Sequence, residues 1–172
     1  MTTLTQLQET MTAFLTGQGV RALTAWPGED RLVRTAPLAV VRVKEVAAAP
    51  AGFQNYLGQR YDGTSRTWTE RYGQRAEVQF ALDLYSPVGE GEEGCRRLLD
   101  QVAGTLQQGG PAGLALEKWT MGETAFHRES GMFRGRLLAA CRTLLVAETD
   151  PAGEFLGFTV KGGITHDIRD NP

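Results

Sequence analysis

The sequence predicts an α+β fold: a mostly antiparallel sheet with two helices packed on one face and a long projecting β-hairpin. Three observations carry this. Asp62-Gly63 is a tight-turn signal between two stretches that can pair residue by residue. Residues 75–85 alternate apolar and polar with period two. Two further segments repeat apolar residues at helical spacing.

The first helix is expected over about Thr3 to Thr16. Leu4, Leu7, Met11, Phe14 and Leu15 form its stripe, Thr3 with Gln6 forms a capping box, and Gly17 and Gly19 stop it. Val20 to Ala25 reads as a short strand before the Trp26-Pro27-Gly28 turn.

Leu38 to Tyr85 reads as one antiparallel ribbon folded about Asp62-Gly63. A type I′ turn flanked by Tyr61 and Thr64 sets Leu57 opposite Trp68 and Phe53 opposite Tyr72. Carried toward the base, the register sets Val43 against Leu82, Val41 against Leu84 and Arg42 against Asp83. Ala47 to Gly52 invites a bulge or bend. Residues 50–74 are the projecting arm, and an arm that exposes aromatics usually meets a partner. Phe53, Tyr56, Leu57, Arg66, Trp68 and Tyr72 are the expected contact residues.

After the alternating strand, Ser86-Pro87 begins a second helix with Cys95, Leu98, Leu99, Val102 and Leu106 on one side, ended by Gly109-Gly110-Pro111. Leu114 to Met121 reads as a strand and Gly122 to Gly131 as a loop. Met132 to Ala147 reads as a long strand, with Phe133, Leu137, Ala139, Cys141 and Leu145 on one face and Arg134, Arg136 and Arg142 on the other. Phe155 to Lys161 supplies a possible last strand, and residues 165–172 a loose polar tail. With no repeat and no linker, residues 1–172 read as a single domain.

At 172 residues such a domain buries roughly 70% of the surface its unfolded chain exposes. Apolar residues make up 41% and charged residues 22%, with a formal net charge of −2. That balance argues against a surface that is wholly a nucleic-acid footprint and against disorder. Arginine outnumbers lysine fifteen to three. Cys95 and Cys141 read as small buried hydrophobes, and a disulfide is not implied. Thr2 to Glu9 lacks the apolar block of a signal peptide, and no apolar run approaches the ~18 residues of a membrane span. The cytosol is the expected place of synthesis and assembly.

Gly89-x-Gly91-x-x-Gly94 matches the dinucleotide fingerprint between a strand and a helix. Against it stand the alternating strand, the intervening Ser86-Pro87-Val88, and Glu90, Glu92 and Glu93 where a pyrophosphate would dock. An acidic first helical turn accounts for the same residues through the helix dipole. No nucleophile elbow or phosphate loop is present, and His127 and His166 lack partners at metal spacing. His127 is expected in a solvated loop. No catalytic, metal or cofactor residue is assigned. Arg134, Arg136 and Arg142 either meet phosphate or an acidic neighbouring surface, or pair across strands with Glu117 or other acids.

The chain resembles the tail-terminator (tail-completion) proteins of tailed bacteriophages, prophages and related phage-tail-like particles. The likeness rests on the N-terminal helix, the arm, the strand Glu77 to Tyr85 with Ser86-Pro87 running into a Gly-rich helix start, and the late strand Phe133 to Val146, and covers roughly Leu4 to Ile164. It implies a non-catalytic virion protein, assembled in the bacterial host cytoplasm. Such a protein forms a hexameric ring on the tail tube, ends tube polymerisation and presents a surface to a neck or connector protein. DNA then only passes through the lumen, where Glu90, Glu92 and Glu93 are the candidate acids that keep it from sticking. The competing expectations are a small dinucleotide-binding enzyme using the Gly89-Gly91-Gly94 loop, and another head-tail connector subunit.

Overall fold

A computed structural model describes residues 3–26 and 35–148. Helix α1 (Leu4–Gly17) is followed by strands β1 (Ala22–Leu23) and β2 (Leu38–Pro50), a 3-10 turn (Phe53–Asn55), β3 (Tyr56–Asp62), β4 (Thr67–Ser86), helix α2 (Gly91–Gln107), β5 (Ala115–Met121), β6 (Ala125–His127) and β7 (Met132–Glu148). The strands form one sheet in the order β1-β2-β4-β7-β5, with β3 pairing β4 and β6 pairing β7. Only the β1–β2 pair is parallel. The fold is α+β, mostly antiparallel, as the sequence predicts.

The predicted capping box forms: the Thr3 hydroxyl accepts from Gln6 N–H and the Gln6 side chain accepts from Thr3 N–H. Helix α2 begins at Gly91, later than Ser86-Pro87 suggests, because Glu90 and Gly91 N–H donate to the Pro87 carbonyl in a turn and Gly91 takes φ +63°. Residues 125–127, expected as loop, form β6, where Phe126 packs edge-on against Phe133, 5.5 Å between ring centres. The expected strand over 155–161 and the tail over 165–172 lie outside the described residues.

Strand β4 spans 20 residues, roughly 65 Å at a strand's rise. β2 lines one of its edges over residues 74–85, then β3 takes over at 72, while β7 lines the other edge from Ser86 to Arg71. The register at the base differs from expectation: Val41 pairs with Leu82 and Val43 with Phe80. Being a slip of two, it keeps every side chain on its assigned face.

The helix-covered face is built from cross-strand rows. Ala39, Leu84 and Gly135 form one, Val41, Leu82 and Leu137 the next, then Val43, Phe80 and Ala139, then Val46, Val78 and Cys141. These share a core cluster with Leu7, Met11 and Leu15 of α1 and Cys95, Leu98, Leu99, Val102 and Leu106 of α2. At Gly135 a Cβ would stand 3.0 Å from Leu99 Cδ1 and 3.2 Å from Cys95 Sγ, so the missing side chain lets α2 settle on β7.

Both outer sheet edges are guarded. β2 carries a bulge at Lys44 and ends at Pro50, and β5 carries a bulge at Glu117 followed by Lys118. Charge, bulge and proline oppose the addition of a further strand.

Cys95 and Cys141 are buried free thiols. Burial pushes both up, Cys141 to about 11 with Glu117 adding repulsion, against an ordinary 9.0. Between those values the folded chain binds more protons than the unfolded one, so stability must fall as pH rises from about 9 toward 11. The slope is up to about 1.4 kcal/mol per pH unit for one such thiol. Urea unfolding across that window should register the loss, and Cys141→Ala should flatten it; an unchanged slope would assign the loss to other groups.

Candidate interface on the arm and the open sheet face

Beyond Arg71, which pairs with Glu148 of β7, only β3 accompanies β4 to the tip among the described residues. The turn is wider than expected. Asp62 pairs with Thr67, leaving Gly63 to Arg66 as the loop, with Arg66 at φ +55°. The Asp62 carboxylate dictates this: it accepts from Thr64 N–H at 3.0 Å and from Ser65 Oγ–H at 2.7 Å. Those bonds, Ser65 foremost, hold its carboxyl below the usual range. The preference of Asp for bonding its own backbone two residues on overrides the two-residue turn.

The expected facing pairs change accordingly. Trp68 lies opposite Tyr61, 5.2 Å between rings, and Tyr72 lies opposite Tyr56, 5.6 Å apart. Leu57 is bulged out of register, and its Cδ1 would stand 2.8 Å from a Cβ at Gly73. Phe53 does not pair with Tyr72; it lies in the 3-10 turn and is 86% exposed. One face of the arm therefore carries Tyr56, Tyr61, Trp68 and Tyr72, with Trp68 63% exposed. The Tyr72 hydroxyl donates to Glu70 Oε2 at 2.6 Å, and that bond raises its pKa. The other face carries Arg60 and Arg71 with Asp62 and Thr69. Arg60 and Arg66 have no ion-pair partner among the described residues, whereas Arg66 sits in the turn itself.

The helix-free face of the sheet centres on Asp83. Its side chain is only 2% exposed, and it is held by Arg42 from β2 and by Arg136 Nε from β7, the latter at 2.7 Å. Asp83 lies directly across from Arg136 and diagonally from Arg42, so a central strand presents one carboxylate to guanidinium groups on both neighbours. Arg142 pairs with Glu117 at 2.8 Å. Cross-strand pairing thus occupies Arg136 and Arg142. Arg134 lines an open cleft of about 530 Å³ with Trp26, Tyr85 and His127. His127 is not in a solvated loop: it is half-buried, its Nδ1 lies 3.0 Å from Ser130 Oγ, and its ring meets Tyr85 edge-on.

The glycine-rich segment sits at the end of an antiparallel strand, without the parallel β-α-β setting a dinucleotide fold supplies. A Cβ at Gly94 would run into Ser86 Oγ and lie 2.6 Å from Glu90 Cβ, so that glycine serves close helix-to-strand packing. Glu90 bonds Arg97 at 3.1 Å, while Glu92 and Glu93 stand exposed in the first turn. Among the described residues no group of three or more His, Cys, Asp or Glu is placed to hold a metal ion, and no helix is long and apolar enough to cross a membrane. Exposed Val88, Met121 and Phe126, which no periodicity marked, lie at the end of the sheet away from the arm. No protein-family model and no curated protein matches the chain.

Proposed function

We propose that this chain is a structural assembly protein of the tail-terminator kind, a ring-forming subunit that caps a phage or phage-like tail tube, ends its polymerisation and offers a surface to the neck. The observation that supports this best is the arm: a ribbon continuous with the core sheet whose tip leaves Tyr61 49% and Trp68 63% exposed, with no layer packed over them among the described residues. Rings of aromatic side chains on that scale are costly to leave wet and are enriched at protein interfaces. Guarded sheet edges favour assembly through side-chain patches over open-ended strand addition.

In this reading the subunits meet head to tail and close by rotation, the neighbouring surfaces being a tube protein below and a neck or connector protein above. Glu92 and Glu93 are the acids available to face passing DNA. Mass photometry and negative-stain microscopy of the purified chain, alone and with its cognate tube protein, test it. A closed ring of several 18.8 kDa copies is expected. A strict monomer under both conditions would overturn the reading, and a ring lodged in the neck without contact to the tube would assign the chain to a connector.

A further inference from the structure

Strand β7 outruns its neighbour β5, and we propose that the bare length of its edge is a docking site for the chain's own continuation, residues 154–161, laid back along it as an antiparallel strand. β5 begins at Ala115, opposite Arg142, so beyond Arg142 the side of β7 away from β4 meets no strand among the described residues. On its other side β7 pairs with β4 without a break as far as Glu148. In an antiparallel strand every second residue turns its N–H and C=O to the outer side, so this length presents a row of donors and acceptors. Unlike β2 and β5, it has no guard: Thr143-Leu144-Leu145-Val146-Ala147 carries no charge, no proline and no bulge. Beside it runs an open cleft of about 860 Å³, lined by Gly110, Pro111, Gly113 and Leu114 together with Leu144 and Val146. An apolar, unpaired edge of this kind is a template for a further strand.

The sequence that follows β7 supplies the occupant. Residues 149–172 lie outside the described residues, and the chain enters them from Glu148, at the end of the bare edge. Asp150-Pro151-Ala152-Gly153 places Asp, Pro and Gly at the first, second and fourth positions, where a type I turn favours them. Four-residue hairpin loops are commonly built on that turn. With Thr149 opposite Glu154, Ala147 meets Leu156, Leu145 meets Phe158 and Thr143 meets Val160. Leu145 packs against the core cluster beneath the helices, so its row belongs to the helix-covered face. Leu156, Phe158 and Val160 then extend that face, while Gly157 and Thr159 fall beside Val146 and Leu144 on the other. The apolar period of two thus lands on the side where burial is available. β5 already holds Arg142, so pairing ends at Val160.

Closing a four-residue loop costs less than recruiting a strand from a separate molecule, which must also give up its translational freedom. The bare edge is then consumed within one chain, and contacts between copies are left to side-chain surfaces. The inference does not rest on the ring reading.

The test uses double variants of the full chain, with circular dichroism and unfolding midpoint reporting that each is folded. Leu144→Cys with Thr159→Cys sets two thiols directly opposite each other, and Leu144 is already 46% exposed. Leu144→Cys with Phe155→Cys sets them four residues out of register, roughly 13 Å apart along the strand. Under oxidised glutathione the first pair should close a bridge within the monomer at least about tenfold faster than the second, since only its geometry suits a disulfide. Cys95 and Cys141 are buried and do not compete. Equal rates would overturn the proposal, and bridges that form only between copies would overturn it in favour of a strand lent to a neighbour. As a second readout, Phe158→Asp should speed amide hydrogen exchange on the outer side of Leu144 to Ala147 by about tenfold or more while leaving Phe80 and Leu82 of β4 unchanged. Unchanged exchange along that edge would equally overturn it. Both readouts are taken within one chain, so their failure leaves the ring reading where it stands, and a failure to form rings leaves them unaffected.

Discussion

Replacing Phe80 with alanine is expected to lower the unfolding free energy by about 3–5 kcal/mol, the largest loss from any single side chain in this protein. Phe80 is fully buried in the middle of the longest strand, and its row neighbours across the sheet are Val43 and Ala139, both smaller. Its ring therefore fills the space beneath the two helices for the whole row. Small neighbours fixed on paired backbone cannot collapse into the vacated volume, so the transfer and cavity costs add. Against a total stability of about 5–15 kcal/mol for a domain, that loss leaves a marginal fold. Urea unfolding should show a lower midpoint, and Leu144→Ala, on the helix-free face and 46% exposed, should shift it by less than about 1 kcal/mol. Similar losses at both positions would mean that Phe80 does not fill the core in this way.

How far the sequence could be read follows from which physical signals are local. Period-two alternation over residues 75–85 depends only on which side of the sheet is buried, so the assignment of Val78, Phe80 and Leu82 to the helix face stands. The pairing of Arg42 with Asp83 holds as well, though as a diagonal contact. Register is decided at the turn, and there the signal misled: Asp-Gly matches a two-residue turn, but the Asp62 carboxylate bonds to Thr64 and Ser65 and moves the pairing of Trp68 from Leu57 to Tyr61. The bulge at Leu57 returns one residue of that shift and the 51–55 segment more than the rest, and the bulge at Lys44 then leaves the base two residues off in the opposite sense. No alternation marks residues 125–127, because a three-residue strand is too short for a period to show. The exposed patch of Val88, Met121 and Phe126 was invisible for a different reason: its members come from three segments that only the fold brings to one end. Arg136 was placed on the correct face, yet its partnership with Asp83 needs the β4–β7 register, a pairing between strands far apart in sequence.

That partnership sets the second large effect. Removing both Arg42 and Arg136 as alanines is expected to cost about 3–5 kcal/mol, more than removing Asp83 itself. The asymmetry comes from burial. Asp83 is 2% exposed, while the side chains of Arg42 and Arg136 are 53% and 45% exposed. Strip away both guanidinium groups and a carboxylate stays in the sheet with no countercharge. Strip away the carboxylate, as in Asp83→Ala, and two long side chains swing into water and keep their hydration. Asp83→Asn should fall between, since its amide can no longer balance two cations yet leaves no buried charge. Each single arginine variant leaves Asp83 one partner and should cost less than half of the double, so the two losses will exceed additivity when combined, as expected for residues sharing one group. Urea unfolding of the five variants with wild type measures this directly. Additive arginine losses, or Asp83→Ala costing more than the double variant, would show that the carboxylate is less dependent on its two partners than its burial demands.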